Sequence, residues 1–347
     1  MKKKSVSGAV VPPTLRNRVL AGLSVEVPEG EVRSFFSRDG RFALLTDASD
    51  ASDRSNEIYV EFSETSPLRL PLEIYMGRRR VVAGNWRTDV WANDKKLDAT
   101  GPWQTLCEEI DNDGAFVERL LPLSEERSLS RRLFVAFKEK LFLNVDVLYG
   151  YDAERAADER RLGANVASDK APSILRVRTL FPLDFAETSV LQADTFGEVA
   201  FYDAASNSAP TARVFSLSPN ERQANATSGT FAVKTTYGGV IETSAQRRGG
   251  SLCVATLFDW NANRATRPVS VGVATVGEDL RAVDDGRAVG RQISLGRERY
   301  ILYVSTSRRP AIRSILSRNL LSDFMFGKFF VGRGVEPLVD VEIPEDF

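Results

Sequence analysis

The chain has 347 residues, of which 43% are hydrophobic and 27% charged, the mix of a globular protein long enough for a large core. Forty-six Lys and Arg against 47 Asp and Glu give a net charge of -1, which argues against a general nucleic-acid binder because such proteins need a cationic surface. There is no histidine, so Ser-His-Asp and Cys-His catalysis, His-ligated zinc and imidazole acid–base work are all excluded.

The chain opens Met1-Lys2-Lys3-Lys4 and then meets Pro12-Pro13. The apolar stretch between is too short for a secretory signal, and no segment approaches the ~20 apolar residues of a membrane helix. A soluble, cytoplasmic protein is therefore expected. Residues 1–30 read as an N-terminal arm, since Pro12, Pro13, Pro28 and Gly30 interrupt any regular element.

From Glu31 short strand-like runs take over. Glu57-Ile58-Tyr59-Val60-Glu61-Phe62 alternates acid with apolar or aromatic residues, the period-2 signature of a half-buried strand. Similar runs follow to Leu148, separated by turn signals at Asp39-Gly40, Asn93-Asp94 and Asp113-Gly114. The clearest pair is Leu133–Phe137 and Leu141–Val147, joined by Lys138-Glu139-Lys140. Residues 31–150 thus form the first half of a β-sandwich.

Residues 151–173 break the rhythm with good helix formers but no apolar stripe, and read as a surface loop with a short helix. Strands resume over 174–307, the second half of the sandwich, at a spacing of roughly 8–14 residues that suits antiparallel sheets. In the tail, 308–347, Ile312, Ile315, Leu316, Leu320 and Phe324 follow helical spacing after Pro310, which predicts a C-terminal helix and then a strand. The fold class expected is all-β: a large antiparallel, supersandwich-like β-sandwich with that helix covering a sheet.

Three of the four tryptophans lie close together in sequence, in Trp86-Arg87-Thr88-Asp89-Val90-Trp91 and at Trp103. Exposed indole faces pack on sugar rings while charged neighbours bond the hydroxyls. Trp86, Arg87, Trp91 and Trp103 are therefore the candidate ligand-binding set, although the same tryptophans would also fill an inter-sheet core. The loop Thr46–Asp53 offers three carboxylates without calcium-loop spacing and reads as solvated. Arg78-Arg79-Arg80, and Arg308-Arg309 with Arg313, are basic clusters able to grip an anion or simply to aid solubility. Asn225-Ala226-Thr227 matches a glycosylation sequon that needs a secretory route. Cys107 and Cys253 sit in apolar runs and read as buried thiols. No metal and no cofactor is expected.

Two stretches carry a family resemblance. One runs from Trp103-Gln104-Thr105-Leu106-Cys107-Glu108 through Gly114–Arg119 and Arg131–Phe137 to Leu141–Asp146; the other is Ser314–Phe324. Together they resemble the C-terminal β-sandwich of heparinase II/III-like polysaccharide lyases, over roughly residues 31–307. The resemblance implies large curved sheets and a link to acidic sugars. The chain lacks the helical toroid that precedes the sandwich in those lyases and the histidines they use, so no catalytic residue carries over. The leading expectation is a non-catalytic module that binds carbohydrate or protein. One alternative is a lyase-type enzyme acting on acidic glycans with Tyr and Arg; the other is a structural assembly subunit.

Overall fold

The computed structural model describes residues 15–23, 34–46, 56–76, 79–125, 127–150, 173–184, 188–193, 197–203, 210–218, 227–234, 239–307 and 311–342. In chain order the elements are α1 (Leu15–Gly22), β1 (Phe35–Phe36), β2 (Phe42–Thr46), β3 (Asn56–Glu61), β4 (Arg69–Met76), β5 (Arg79–Ala92), β6 (Lys95–Lys96), β7 (Gln104–Ile110), β8 (Gly114–Leu123), β9 (Arg127–Ala136) and β10 (Leu141–Tyr149). There follow β11 (Ile174–Pro182), β12 (Thr188–Ala193), β13 (Glu198–Asp203), β14 (Pro210–Ser216), β15 (Thr227–Lys234), β16 (Val240–Arg248) and β17 (Leu252–Asp259). The remainder is β18 (Val269–Val273), β19 (Val276–Glu278), β20 (Arg281–Ala282), β21 (Ala288–Leu295), β22 (Glu298–Ser305), β23 (Arg313–Ile315), β24 (Arg318–Leu320), β25 (Ser322–Phe330) and β26 (Gly334–Glu342).

These strands form four sheets. Sheet A has the order β1-β2-β3-β4-β5-β11-β16-β15, with β6 also paired to β5; sheet B has the order β12-β13-β14-β17-β10-β9-β8-β7. Sheet C is β18-β21-β22-β25-β26 and sheet D is β20-β19-β23-β24. Every pairing is antiparallel. Strands on both sides of the loop expected at 151–173 pair directly, β5 with β11 and β10 with β17. Residues 151–172 themselves lie outside the described residues.

The layers follow from where the apolar side chains meet. Ile58, Leu72 and Phe181 of sheet A pack on Val117, Val135, Phe142 and Phe258 of sheet B. The opposite face of sheet B, through Leu143, Val145 and Leu257, packs on Ile293, Leu302 and Phe326 of sheet C. Sheet C in turn covers Val276, Ile315 and Leu320 of sheet D with Ile301, Tyr303 and Met325. Sheet B is thus sandwiched on both faces. That explains why β9, β10 and β17 are buried almost end to end and why their sequences run apolar without a clean alternation.

Buried charge ties the layers together. Arg131 of β9 makes a two-pronged bond to Asp146 of β10, Nε to Oδ1 at 2.7 Å and Nη2 to Oδ2 at 3.0 Å. The same guanidinium donates to the Thr88 hydroxyl across the inter-sheet space at 2.6 Å, and Thr179 of sheet A donates to Asp146 at 3.1 Å. The neighbouring Arg132 points the other way, pairing with Glu118 at 2.9 Å and donating to the Asp323 carbonyl of sheet C. The period of two therefore sends adjacent arginines into different cores.

Three expectations need correction. The tail is not helical: residues 313–342 form strands β23 to β26, and the one helix among the described residues is α1. Leu316 and Ser317 both have positive φ (46° and 66°) and form the two-residue turn of a hairpin between β23 and β24. That turn inserts itself between two short alternating runs, so their apolar residues fall by chance at helical spacing. Ile312 and Leu316, placed on the supposed buried stripe, are 65% and 42% exposed.

The arm over 1–30 contains a regular element after all. Leu15, Val19 and Leu23 recur at one helical face and bury against Leu44 and Tyr59 on the outer face of sheet A. Lastly, Cys253 is buried but Cys107 is only half-buried, on the otherwise exposed edge strand β7. Both thiols are pushed up to about 12, chiefly by burial, and Cys107 also by Glu109.

Candidate functional site

Along β5 the side chains alternate. Trp86, Thr88 and Val90 turn inward to sheet B, while Arg87, Asp89 and Trp91 turn to the outer face of sheet A. Register then fixes their neighbours. Arg87 lies opposite Arg69 of β4; Asp89 lies opposite Arg178 of β11; Trp91 lies opposite Arg176 of β11 and Lys96 of β6.

Asp89 is the hub. It accepts from Arg87 Nε at 3.0 Å, Lys96 Nζ at 2.8 Å and Arg178 Nη2 at 2.7 Å. Burial alone would push its carboxyl up, but the hydrogen bonds from Lys96, Arg178 and Arg87 outweigh that and hold it below the usual carboxylate range. Three cations thus meet one carboxylate at the hub, while nearby Asp94 pairs with Arg176 at 3.1 Å and Glu64 and Asp98 line the adjoining cleft. Each cation keeps a third or more of its side chain in solvent, at 36%, 46% and 34% for Arg87, Lys96 and Arg178. Pairs this exposed add little to stability, so their effect is to hold the cations in place.

Trp91 is half-buried between cations. The guanidinium of Arg176 lies 4.7 Å from its ring centroid and that of Arg178 5.4 Å. Beyond them the same rows continue in neutral polar residues, Arg176–Gln246–Ser228 and Arg178–Ser244–Thr230 across β11, β16 and β15. At the other end lies an open cleft of about 730 Å³, walled by Pro67, Arg69, Arg87, Lys96 and Asp98 with Thr88 at its floor. Arg131, fully buried, supports that floor through its bond to Thr88.

The structure therefore divides the sequence-derived set. Arg87 and Trp91 belong to the exposed face. Trp86 does not: it is 0% exposed, stacked on Phe181 at 5.1 Å, with the Arg131 guanidinium 3.7 Å above its ring. Trp103 is half-buried against two apolar clusters between sheets A and B; its Nε1 donates to the Pro67 carbonyl at 2.9 Å and its ring meets Phe62 edge-on. It braces the cleft wall. Reading Trp86 and Trp91 as one cluster ignored that they are five apart, an odd spacing that puts them on opposite faces.

Arg69, Lys96, Arg176 and Arg178 were missed. The signal was present in Arg176-Val177-Arg178, where a charge recurs at every second position of a strand. Of the other sequence candidates, Asp47–Asp53, Arg78, Arg308-Arg309 and Asn225-Ala226 lie outside the described residues. Arg80 is engaged by Asp184 at 2.8 Å and Glu73 at 3.2 Å, and Arg313 is buried and paired with Glu278 at 2.7 Å. No group of three or more Cys, Asp or Glu among the described residues is placed to hold a metal ion.

Tyrosine–arginine–carboxylate groups occur away from the cleft. The Tyr300 hydroxyl accepts from Arg264 at 3.0 Å and donates to Glu139 at 2.9 Å. Burial, first, pushes Tyr59, Tyr75, Tyr300 and Tyr303 all above the ordinary phenol range. A tyrosine acting as a base near neutral pH needs the opposite shift.

No family model and no curated protein sequence matches the chain. Its fold does match solved structures. Heparan sulfate lyase HepC from Pedobacter heparinus superposes with a TM-score of 0.50 at 9% identity, over 80% of this chain and 43% of that one. A heparinase III structure superposes with a TM-score of 0.51 at 8% identity, over 79% of this chain and 42% of that one. The chain thus spans under half the length of these structures and shares their layered β architecture. No helix among the described residues is long and apolar enough to cross a membrane.

Proposed function

We propose that this chain is a non-catalytic β-sandwich module that binds acidic carbohydrate across the outer face of sheet A, related to the C-terminal sandwich of polysaccharide lyases. The observation that carries the reading is the Asp89 hub, where one carboxylate orients Arg87, Lys96 and Arg178 beside Trp91. Guanidinium forks match carboxylate and sulfate oxygens, and an indole flanked by them offers an apolar face to a sugar ring. The strand spacing of about 4.8 Å places successive polar rows along a path that an extended chain can follow. The names of the superposed proteins, a heparan sulfate lyase and a heparinase, agree with an acidic polysaccharide as ligand.

A lyase reading would require a deprotonable base near the face, and the tyrosines with Arg and carboxylate partners are shifted the wrong way for it. Unsaturated-product absorbance on a panel of acidic polysaccharides checks this directly.

The binding test is a glycan array probed with the purified chain and with R87A, K96A and W91A. Each arginine or lysine variant leaves Asp89 two of its three cations, so the fold is spared. Wild type is expected to bind uronate-bearing or sulfated glycans and to pass over neutral ones. A charge-assisted hydrogen bond contributes about 1.5–3 kcal/mol, so R87A and K96A should each weaken binding by roughly tenfold or more. Retention of neutral glycans only, or variants that bind as wild type does, would reject the reading.

A further inference from the structure

The outer face of sheet A has a second polar region on β3 and β4, directly beside β5. Strands β3 and β4 each carry the triplet Glu-Ile-Tyr, as Glu57-Ile58-Tyr59 and Glu73-Ile74-Tyr75. Their antiparallel register sets Glu57 opposite Tyr75 and Tyr59 opposite Glu73. The two isoleucines turn to the core, and the four outward residues form a square with the glutamates on one diagonal and the tyrosines on the other. Each phenol donates to the glutamate on its own strand, Tyr59 to Glu57 at 2.6 Å and Tyr75 to Glu73 at 3.1 Å. The rings meet edge to face, 5.8 Å apart at 84°.

Both glutamates are 6% exposed, so two carboxylates stand close together out of water. Such an arrangement calls for a cation. Arg80 of β5 already pairs with Glu73 at 3.2 Å, and α1 supplies a second cation that reaches Glu57. Arg16 donates through Nε to the Tyr59 hydroxyl at 2.9 Å, and its Nη2 lies 3.4 Å from Glu57. Its guanidinium carbon lies 5.9 and 5.8 Å from the two ring centroids, and its backbone N–H donates to Glu73 at 3.1 Å. All four members of the square touch one residue. Arg18 beside it pairs with Glu61 at 3.2 Å.

The occupant is held lightly. The helix is eight residues long, below the ~12–15 at which an isolated helix becomes even marginal in water. Its apolar contact is a small cluster of Leu15, Val19 and Leu23 on Leu44 and Tyr59. The Arg16 side chain is 47% exposed, so a competitor can reach the square without opening the sheet.

We propose that Glu57, Tyr59, Glu73 and Tyr75 form a guanidinium-binding site, which α1 fills in cis with Arg16 as a displaceable latch. The ligand class is a guanidinium group, recognised by planar charge over two aromatic rings and two carboxylates. The site lies beside the acidic-glycan face and shares none of the residues of its Asp89 hub.

Calorimetric titration of the full chain with methylguanidinium tests it, with methylammonium as the control for charge alone. The R16A chain is expected to bind methylguanidinium saturably, at least tenfold more tightly than wild type, whose site is filled. Methylammonium is expected to bind R16A more weakly than methylguanidinium does. Folding is checked by circular dichroism; if R16A does not fold, R16Q, which keeps most of the stem, is read the same way. No binding to a folded variant, equal binding to wild type, or equal binding of the two cations would overturn the proposal.

Discussion

Replacing Asp146 with alanine is expected to destabilise the protein by roughly 3–5 kcal/mol, because it strands the Arg131 charge inside the sandwich. Arg131 and Asp146 are 1% and 0% exposed, and their two-pronged bond is the only carboxylate contact the described residues give that guanidinium. The loss is felt on both sheets, since Arg131 also reaches Thr88, and Asp146 also accepts from Thr179. The converse substitution, R131M, leaves Asp146 with one hydroxyl donor and should cost about as much. Removing both charges together, as R131M with D146A, should cost less than the two single changes summed, since no uncompensated charge is left. Urea denaturation of the four proteins gives the coupling directly. A D146A penalty below about 1 kcal/mol would mean the pair is far better solvated than its burial implies.

The second large effect separates two tryptophans that look alike in the sequence. W86A is expected to lose roughly 3–5 kcal/mol, as large aromatic truncations in a core do. Trp86 is fully enclosed, with Phe181 on one side and the Arg131 guanidinium on the other, so its removal opens a cavity beside a buried charge. Residual folded W86A should still bind glycan with near wild-type affinity. W91A should behave in the opposite way, with a stability change within about 1 kcal/mol and a clear loss of glycan binding. Trp91 is half-buried on the outer face, with contacts from Arg176 and Arg178. Thermal unfolding measured beside glycan binding on both variants distinguishes them; a W86A that is stable but binding-deficient would reverse the assignment of faces.

The layered all-β architecture is legible because strands with one wet face alternate. Ile174–Leu180 shows this as β11 of sheet A; Glu57–Phe62 alternates in the same way and also becomes a strand of sheet A, although β3 is buried on both faces, its outer one beneath α1. The hairpin joining Leu133–Phe137 to Leu141–Val147 is also readable, since its apolar runs are long and its charged turn is distinct; the structure pairs Ala136 with Leu141 as that reading requires. The tail misleads for a physical reason. Its strands β23 and β24 are three residues each, so a period of two never repeats often enough to compete with a coincidental helical spacing. Helix α1 is missed because prolines at 12 and 13 hide its start and only three of its apolar residues are informative.

The functional face is less legible than the fold. Arg87 and Trp91 could be named from local sequence, but Lys96 reaches the hub only through the tight β5–β6 hairpin, and Arg178, 89 residues from Asp89, only through register. The buried Trp86 also shows that tryptophan density alone does not mark a binding surface in a chain with several inter-sheet cores.

The proposed binding of acidic glycan at the Asp89 hub is most directly tested by the salt dependence of binding to a size-defined acidic oligosaccharide. With several exposed cations engaging anionic groups, affinity should fall steadily as salt rises, and the fall should be shallower in R87A and K96A than in wild type. Binding that is indifferent to salt, or a salt response left unchanged by both variants, would contradict the account.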